Sequence, residues 1–331
     1  MKKYLYILFI LQFIYADAYS QCNGSIDLCQ KKYNEIAYLT THNAYNSDQS
    51  GLLFPNQTNN IATQLQDGVR GLMIDVYDHF GIPTAYHTVS VLGTIPLENI
   101  LNKIKLFLDS NPNEIITIIF EAHTSADAIE DIINQVGLFN YIYTYNNTSW
   151  PTLQDMIDIN KRLVIFSELD DANNSQSWYH YIWDHAVETH YSVNNINDFD
   201  CNYNRGDSLN DLFILNHFVT DAALGYGLYN ESIDVNSNPF FINRALMCQS
   251  EKNKFPNFIT VDFYELGDGL DVVNELNNIT NTSSINIVDN LFRKEIVNIT
   301  DILGKETQIT KNKILLYHYI DGNVEKKQIL E

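Results

Sequence analysis

The strongest constraint on the fold is the continuous β-type run EIITIIFE (114–121), in which almost every side chain is apolar and most are β-branched. A strand with one face in water alternates polar and apolar residues, whereas a strand of a parallel sheet is buried on both faces and does not. The run therefore predicts a strand inside a parallel sheet that is covered by helices.

Similar runs alternate with amphipathic stretches between residues 35 and 278. We predict strands at 35–41, 69–76, 83–88, 114–121, 162–168, 212–218 and 257–264, and one more within 178–200. We predict helices at 96–109, 126–136, 152–160, 239–250 and from 269 onward. Repeated strand-then-helix order is typical of a parallel α/β fold, and we expect a TIM-type (β/α)8 barrel, in a distorted form, over residues 22–278.

The amino terminus has the pattern of an export signal. Lys2 and Lys3 precede an apolar run at 5–14, and Ala16-Asp17-Ala18 matches a small-x-small cleavage site. The run is shorter than the ~20 residues that a spanning helix needs. We expect residues 1–21 to be a signal peptide and the mature protein to be secreted or held at the cell surface.

Export to an oxidising compartment changes the interpretation of the cysteines. The four cysteines are Cys22, Cys29, Cys201 and Cys248. An even number predicts two disulfides, for which three connectivities are possible. We expect Cys22–Cys29 as a local link and Cys201–Cys248 as a long-range one.

The charge balance limits the partners. Lys and Arg number 20 against 41 Asp and Glu, which gives a net charge of −21. Such a surface repels nucleic acid and anionic membranes, so we expect no nucleic-acid partner. Binding of an anionic substrate requires a local positive charge from Arg, His or a bound cation. We expect a monomer, and no basic amphipathic helix or exposed aromatic insertion segment is identifiable in the sequence.

The carboxyl-terminal stretch differs from the rest. A polar linker starts near residue 278, and short β-type pieces follow with no helix between them. DILGKET (301–307) and DGNVEKKQILE (321–331) resemble the C-terminal sorting signal of type IX secretion cargo, which implies a partner in the secretion machinery. The alternative for 279–331 is a small accessory β-domain that stays attached.

Several predicted strands end in chemically useful groups. His42 and Asn43 end the first, Asp75 the second, His87 the third and Glu121 the fourth. Because active sites of such barrels form at the carboxyl ends of the strands, these side chains are expected at one mouth.

These residue types suit phosphodiester cleavage. One histidine can take a proton from the attacking hydroxyl while the other donates one to the departing oxygen. Asn43, Asp75 and Glu121 supply the oxygen atoms that Ca²⁺ prefers. The alternative is that the histidines are structural and the acidic residues cap helices.

Four segments together resemble the phosphatidylinositol-specific phospholipase C X domain. They are THNAY (41–45), GVRGLMIDVYD (68–78), YHT (86–88) and NPNEIIT (111–117). Within that superfamily the chain is most similar to the PLC-like phosphodiesterases, through WPTL (150–153), RLVIF (162–166), PNF (256–258) and the CNGS…LC opening that supports Cys22–Cys29.

The resemblance implies a role for each matched residue. His42 corresponds to the general base or phosphate-stabilising histidine and His87 to the general acid. Asn43, Asp75 and Glu121 correspond to the metal ligands of calcium-dependent members. The implied reaction is cleavage of a phospholipid or glycerophosphodiester by attack of the substrate's own neighbouring hydroxyl.

One departure from the family pattern concerns the metal. The calcium-dependent enzymes have a glutamate two residues before the position of Asp75, and this chain has Met73. Methionine is a poor ligand for a hard cation, so the site loses one carboxylate. The metal-independent enzymes use an arginine in this region, and Arg70 is the candidate near it, although it precedes the strand and is not at the matching position; a structural ion pair is the alternative for Arg70. Arg205, in the loop before the strand at 212–218, is a second arginine that could reach the mouth.

Two other functions remain open at this stage. One is a sphingomyelinase-D-like or glycerophosphodiesterase-like enzyme on the same barrel, although such enzymes keep the carboxylate that Met73 replaces. The other is a non-catalytic surface-binding protein, against which the presence of both His42 and His87 counts.

Overall fold

The computed structural model describes residues 21–87, 89–170, 176–221 and 226–279, together with 296–301, 305, 307, 314–319 and 324–328. The chain forms two compact units, Met1–Ile279 and Thr280–Glu331. The predicted signal peptide up to residue 20 lies outside the described residues, as do parts of both sorting motifs (302–304, 306, 321–323 and 329–331). Among the described residues no helix is long and apolar enough to cross a membrane.

The first unit is a mixed α/β fold. Its strands are β1 (Tyr38–Thr41), β2 (Gly71–His79), β3 (Ile82–Ala85), β4 (Ile95–Pro96), β5 (Ile116–His123), β6 (Ile142–Tyr143), β7 (Leu163–Ser167), β8 (His180–Tyr181), β9 (Ala186–Thr189), β10 (Tyr203–Gly206), β11 (Leu212–Asn216) and β12 (Phe258–Val261). Its helices are α1 (Ile61–Gln66), α2 (Leu97–Ser110), α3 (Ala126–Val136), α4 (Leu153–Asp158), α5 (Tyr229–Val235), α6 (Phe240–Lys252) and α7 (Gly269–Leu276).

The sheet is a curled, mostly parallel half-barrel, as expected for a TIM-like fold. Its strand order is β10-β9-β11-β12-β1-β2-β5-β7-β6, and only β10 runs antiparallel to its neighbour along this path. In the part of the chain that the structure describes, no backbone pairing joins β7 to β9. The prediction of a parallel α/β barrel in a distorted form is confirmed.

The third predicted strand has a different role from the one expected. β3 is antiparallel to β2 and forms a hairpin with it, so it does not add a parallel strand to the barrel. The strand expected within 178–200 is found as β9. Periodicity shows that a segment is extended, but it does not show which neighbour the segment pairs with.

The second unit contains an antiparallel sheet. β13 (Ile296–Asp301) pairs with β14 (Ile314–Tyr319), which pairs with β15 (Val324–Gln328). The β-type character predicted for this stretch is therefore present, whereas its role in sorting stays a prediction.

The predicted disulfides are both confirmed. Cys22–Cys29 closes a loop with a sequence separation of 7, and Cys201–Cys248 links positions 47 residues apart. The second bond holds the loop before β10 against α6.

Alternation along the parallel strands separates two layers of core. Odd and even positions belong to different apolar clusters, so that Leu39 packs outward while Tyr38 faces the barrel interior. The interior cluster takes the inward apolar residues of the strands, Tyr38, Met73, Ile119, Phe166, Ala186, Ile214 and Phe258. The interior is therefore filled with side chains at depth, and the next inward position on each strand lies nearer the mouth.

Close packing between β1 and β2 requires a glycine. A Cβ atom on Gly71 would overlap Oγ1 of Thr40 and lie 2.9 Å from its Cβ. We expect Gly71→Ala to lower the free energy of unfolding by about 2–3 kcal/mol because the buried neighbour has no room to move. Urea denaturation measures this, with Gly81→Ala as a control at an open turn that costs about 1 kcal/mol. Equal effects for the two variants would contradict the crowding.

Candidate active site

His42 and Asp262 meet because β1 and β12 are neighbours in register. Thr41 pairs with Val261, and the next residue on each strand follows at the mouth. Nδ1 of His42 lies 3.0 Å from Oδ1 of Asp262, which is fully buried. With Nδ1 held in this way, Nε2 is the nitrogen of His42 that remains for a substrate.

Amide side chains hold the carboxylate in place. Nδ2 of Asn56 lies 3.2 Å from Oδ2 and 3.3 Å from Oδ1 of Asp262. Asn46 donates to Oδ1 of Asn56 at 2.9 Å, and so does Asn43 at 3.2 Å. The imidazole ring of His42 also stacks on Phe218 with 4.1 Å between ring centroids. The ring is therefore fixed on one face and at Nδ1.

The surroundings of His42 favour its protonated form. Burial alone lowers its pKa, but the charge and hydrogen bond of Asp262 raise it, as do Asp75 and Glu168, and the resulting pKa lies above the ordinary value of histidine. Asp262 thus supplies the counter-charge of an imidazolium in the site.

Asp75 and Glu121 lie side by side on β2 and β5, the next two strands of the sheet after β1. The parallel register of β2 and β5 pairs the two residues directly. Burial, followed by repulsion from Glu121, raises the pKa of Asp75 to about 8. Tyr45 donates a hydrogen bond to Oδ2 of Asp75 at 3.2 Å, and His123 contacts Oε1 of Glu121 at 2.7 Å. Two adjacent carboxylates without a cation between them resist joint ionisation.

Arg205 connects the strands that backbone pairing leaves apart. Its Nη1 lies 2.8 Å from Oε2 of Glu168, just after β7, and its Nε lies 2.5 Å from Oε1 of Glu188 on β9. Burial raises the pKa of Glu168 to about 7 although Arg205 opposes this. The guanidinium also covers the rings of Trp183 and Tyr191, at 4.3 and 4.7 Å from their centroids.

These groups surround one cavity of about 190 Å³. Four predicted residues line it: His42, Asn43, Asp75 and Glu121. The remaining polar wall consists of Glu168, Glu188, Arg205, Tyr191 and Asn216. Met73 lines the cavity as well, in the place where the calcium-dependent enzymes are expected to carry a carboxylate.

His87 does not line this cavity. It follows β3, after the hairpin that β2 and β3 form. Burial and the charge of His42 lower its pKa, Glu121 raises it, and the net direction is downward. The charges of both His42 and Glu121 therefore act on His87.

Arg70 is a structural residue. Its Nε lies 2.7 Å from Oε2 of Glu114, and its Nη1 donates to the carbonyl oxygens of Leu65 and Val69. It does not line the cavity, whereas Arg205 does. Of the two arginines that the sequence offered for phosphate, only Arg205 is at the mouth.

The described residues offer few side chains that could bind a metal ion. Among the described residues, no group of three or more His, Cys, Asp and Glu side chains is arranged to hold a metal ion. The set expected from the sequence contains two carboxylates, Asp75 and Glu121, and the amide of Asn43.

Sequence reasoning missed most of the polar residues that the later strands bring to the site. From the sequence, no role in the site is assigned to Asp262, Glu168 or Glu188. The available signal was positional for two of them, since Glu168 and Glu188 each follow an inward apolar residue, Phe166 and Ala186, by two positions along a parallel strand.

Comparison with known proteins identifies the family. Residues 28–277 match the PI-PLC X family, so the chain belongs to it. A PI-PLC X domain-containing protein of Arabidopsis thaliana is 30% identical over 260 residues, which are 72% of this chain and 60% of that protein. An uncharacterized secreted protein of Arthroderma benhamiae is 27% identical over 292 residues, 78% of this chain and 64% of that one. The chain thus spans less than two thirds of each of these two relatives.

Solved structures share the fold. The phosphatidylinositol-specific phospholipase C of Listeria monocytogenes matches with a TM-score of 0.53 and 20% identity, over 76% of this chain and 96% of that one. The corresponding enzyme of Staphylococcus aureus, studied for its membrane binding, matches with a TM-score of 0.51 and 15% identity, over 71% and 88%. At these identities the likeness concerns the fold alone.

Substitution of Asp262 tests its contact with His42 in any activity that depends on this histidine. In Asp262→Asn the imidazolium loses its counter-charge, so the pKa of His42 falls and the basic limb of the kcat/KM profile moves to lower pH. We expect kcat/KM to fall by roughly 10² or more. A pH–rate profile measures both effects, and Asp211→Asn, at the far end of β11, is the control. An unmoved basic limb would separate Asp262 from the function of His42.

Proposed function

We propose that the protein is a phosphoric diester hydrolase or lyase of the phosphatidylinositol phospholipase C type, acting on a phospholipid or glycerophosphodiester. The observation that carries the proposal is the His42–Asp262 pair at the mouth of a polar cavity. A histidine whose Nδ1 is held by a buried carboxylate keeps Nε2 free as a proton acceptor, which is the arrangement of a general base.

The proposed reaction has two steps. A hydroxyl group of the substrate next to the phosphate loses its proton to Nε2 of His42 and attacks phosphorus. The bond between phosphorus and the leaving oxygen breaks, and His87 gives that oxygen a proton, so that a cyclic phosphodiester and an alcohol result. Water then opens the cyclic ester with the two histidines in exchanged roles.

The two histidines differ in the direction of their pKa shifts, and this shapes the expected pH dependence. Cleavage needs His42 neutral and His87 protonated, while the pKa of His42 is raised and that of His87 is lowered. The profile of kcat/KM then has its acid limb below and its basic limb above the ordinary histidine pKa, with a plateau between them.

Arg205 is the permanent cation at the cavity, and it is already paired with Glu168 and Glu188. It therefore contributes less to binding an anionic phosphate than an unpaired arginine. The wall of Glu168, Glu188 and Asn216 offers acceptors for hydroxyl donors of a headgroup. Since the cavity measures about 190 Å³, it accommodates a headgroup, and the rest of a lipid stays outside.

A calcium ion is compatible with the donor set. Asn43, Asp75 and Glu121 present hard oxygen atoms at one cavity, and the raised pKa of Asp75 reports a carboxylate pair that a cation would relieve. When bound there, calcium would neutralise negative charge that develops on the phosphate. The proposed ligands are these three residues, with Met73 in place of a fourth.

The proposed location of the enzyme is outside the cell. The two disulfides are stable in oxidising compartments, and one relative is a secreted protein. We therefore propose a secreted or surface-displayed enzyme whose tail, 279–331, acts as the sorting signal. The substrate is then an extracellular diester or an exposed lipid.

Removal of either histidine tests the proposed chemistry. We expect His42→Ala and His87→Ala each to lower kcat by 10²–10⁴ on a diester that the wild type cleaves, because each moves one of the two protons. Release of soluble phosphate esters from a panel of phospholipids and glycerophosphodiesters measures this. The control is His318→Ala, which lies outside the barrel unit.

The outcomes of that panel are distinct. Activity that both substitutions abolish identifies the enzyme class and the substrate together. Activity that survives both would place the chemistry elsewhere, and a panel without any cleavage would favour the non-catalytic binding protein.

Calcium binding has its own test. At tenfold excess over its dissociation constant, calcium stabilises the folded protein by about 1.4 kcal/mol. For a chain of 331 residues this free energy corresponds to roughly 2 °C, so we expect millimolar calcium to raise the melting temperature by about that amount. Glu121→Gln removes the shift, Met73→Glu enlarges it, and the exposed Asp78→Asn leaves it in place. No shift in the wild type would reject the calcium site and leave the two-histidine proposal standing.

A further inference from the structure

One arginine of α6 is buried without a negatively charged partner. Arg244 is 4% exposed, and in the part of the chain that the structure describes it forms no ion pair with a carboxylate. Its Nε atom has no hydrogen-bond partner among the same residues. Burial lowers the pKa of Arg244 to about 9. Because a buried charge without a counter-charge is unfavourable for folding, stability alone does not explain this arginine.

The hydrogen bonds of Arg244 fix the two residues that precede Phe218. Its Nη1 donates to the carbonyl oxygen of Asn216 and contacts Nδ1 of His217, both at 3.0 Å. A guanidinium group only donates, so Nδ1 of His217 accepts, and its Nε2 carries the proton that is donated to the carbonyl oxygen of Val235 at 2.8 Å. The end of β11 is therefore held through its backbone and through a side chain.

Phe218 connects this end of β11 to the candidate active site. It is buried, lines the cavity and stacks on the imidazole ring of His42 with an angle of 7° between the ring planes. Asp262 holds His42 at Nδ1 only, so the plane of the ring depends on the surface against which it packs. The direction in which Nε2 of His42 points thus depends on the position of Phe218.

The side chain of His217 lies between two aromatic rings with nearly parallel planes. The ring centroids of Phe199 and Phe241 are 5.1 Å and 3.9 Å from that of His217, at angles of 12° and 4°. Phe241 belongs to α6, and Phe199 belongs to the loop before β10. Arg244 binds this loop as well, because its Nη2 donates to the carbonyl oxygen of Asp200 at 3.0 Å and its guanidinium lies 4.3 Å from the centroid of Phe199.

A disulfide fixes the same loop to the same helix. Cys201 directly follows Asp200, and Cys248 lies one helical turn after Arg244 on α6. The bond between the two cysteines keeps Phe199 and Asp200 against α6. Arg244 and the disulfide therefore support one arrangement, in which His217 is enclosed and Phe218 packs on His42.

We propose that Arg244 is a positioning residue for His42. Together with the disulfide it fixes Phe218, which sets the plane of the imidazole ring. Arg244 does not line the cavity, so it acts on the site only through other residues. The proposal deepens the proposed function and rests on it only where activity is measured, because the position of the ring can be observed without turnover.

The substitution Arg244→Met tests the proposal, since methionine has a similar reach and no hydrogen-bond donor. On a diester that the wild type cleaves, we expect kcat to fall about tenfold or more, because a displaced general base loses its alignment with the substrate. We expect KM to change by less than about threefold, because the groups that line the cavity stay in place. The double substitution Cys201→Ser and Cys248→Ser is expected to lower kcat in the same direction.

The chain offers a matched control for each substitution. Arg162 is 2% exposed and also donates to three backbone carbonyl oxygens, but it precedes β7, at the opposite end of that strand from the cavity. Arg162→Met is expected to lower the melting temperature as Arg244→Met does, while the kcat of the folded protein stays within about twofold of the wild type. The double substitution Cys22→Ser and Cys29→Ser is the control for the disulfide.

Nuclear magnetic resonance of the histidine side chains gives a measurement that does not require activity. The Hε1 resonance of His42 is identified by its absence from the spectrum of His42→Ala, and its chemical shift depends on the ring current of Phe218. We expect this resonance to move in Arg244→Met and to stay in place in Arg162→Met. A shift of the resonance in a protein that cleaves no diester would reject the proposed function and support the positioning role.

Two results would overturn the positioning role. One is an unchanged His42 resonance and an unchanged kcat in Arg244→Met. The other is an equal loss of kcat in Arg162→Met, since the effect would then be a general loss of stability. If Arg244→Met does not fold, Arg244→Lys takes its place, because lysine keeps the charge but cannot bind β11 and the loop at Asp200 with one nitrogen. The same shift of the resonance is expected there, and its absence would overturn the proposal.

Discussion

The register of the central parallel strands is the constraint on which the site depends. Inward positions recur at every second residue, and paired strands end at the same level. As a result, Thr41 and Val261 pair, and His42 and Asp262 follow side by side. A shift of one residue would turn these side chains outward into the helix layer, where a buried carboxylate would have no partner. The apolar packing of the barrel interior and the placement of polar side chains at the mouth thus both follow from the alternation of side chains along the strands.

Charge at the mouth is balanced within the chain only in part. Asp262 is paired with His42, and Glu168 and Glu188 share Arg205, which spans the gap where β7 and β9 are not paired through their backbones. Asp75 accepts a hydrogen bond from Tyr45, and Glu121 contacts the imidazole of His123. The first two groups stabilise the barrel as well as shape its cavity. The third group is the part of the site that is incomplete without a proton, a cation or a substrate.

Local patterns predicted the polar residues that β1, β2 and β5 bring to the site, but not those that β7 and β9 bring. His42, Asn43, Asp75 and Glu121 follow strongly patterned strands, so their level at the mouth could be read from the chain. Glu188 lies on β9, which is short and was expected only somewhere within 178–200. The hairpin of β2 and β3 was misjudged for a related reason: an extended segment can pair in either direction, and the choice is made by the turn at Gly81 and by contacts such as the stacking of Tyr77 on Tyr86.

The sequence by itself determined the kind of fold, the number of disulfides and the presence of His42, Asn43, Asp75 and Glu121 at one mouth, because these depend on periodicity, on cysteine number and on motifs that are local along the chain. Only the tertiary structure decided which carboxylate holds His42, which cysteines pair, and that Arg205 and not Arg70 reaches the cavity. The physical reason is sequence distance. His42 and Asp262 are 220 positions apart, and their contact exists only because the parallel sheet brings β1 beside β12.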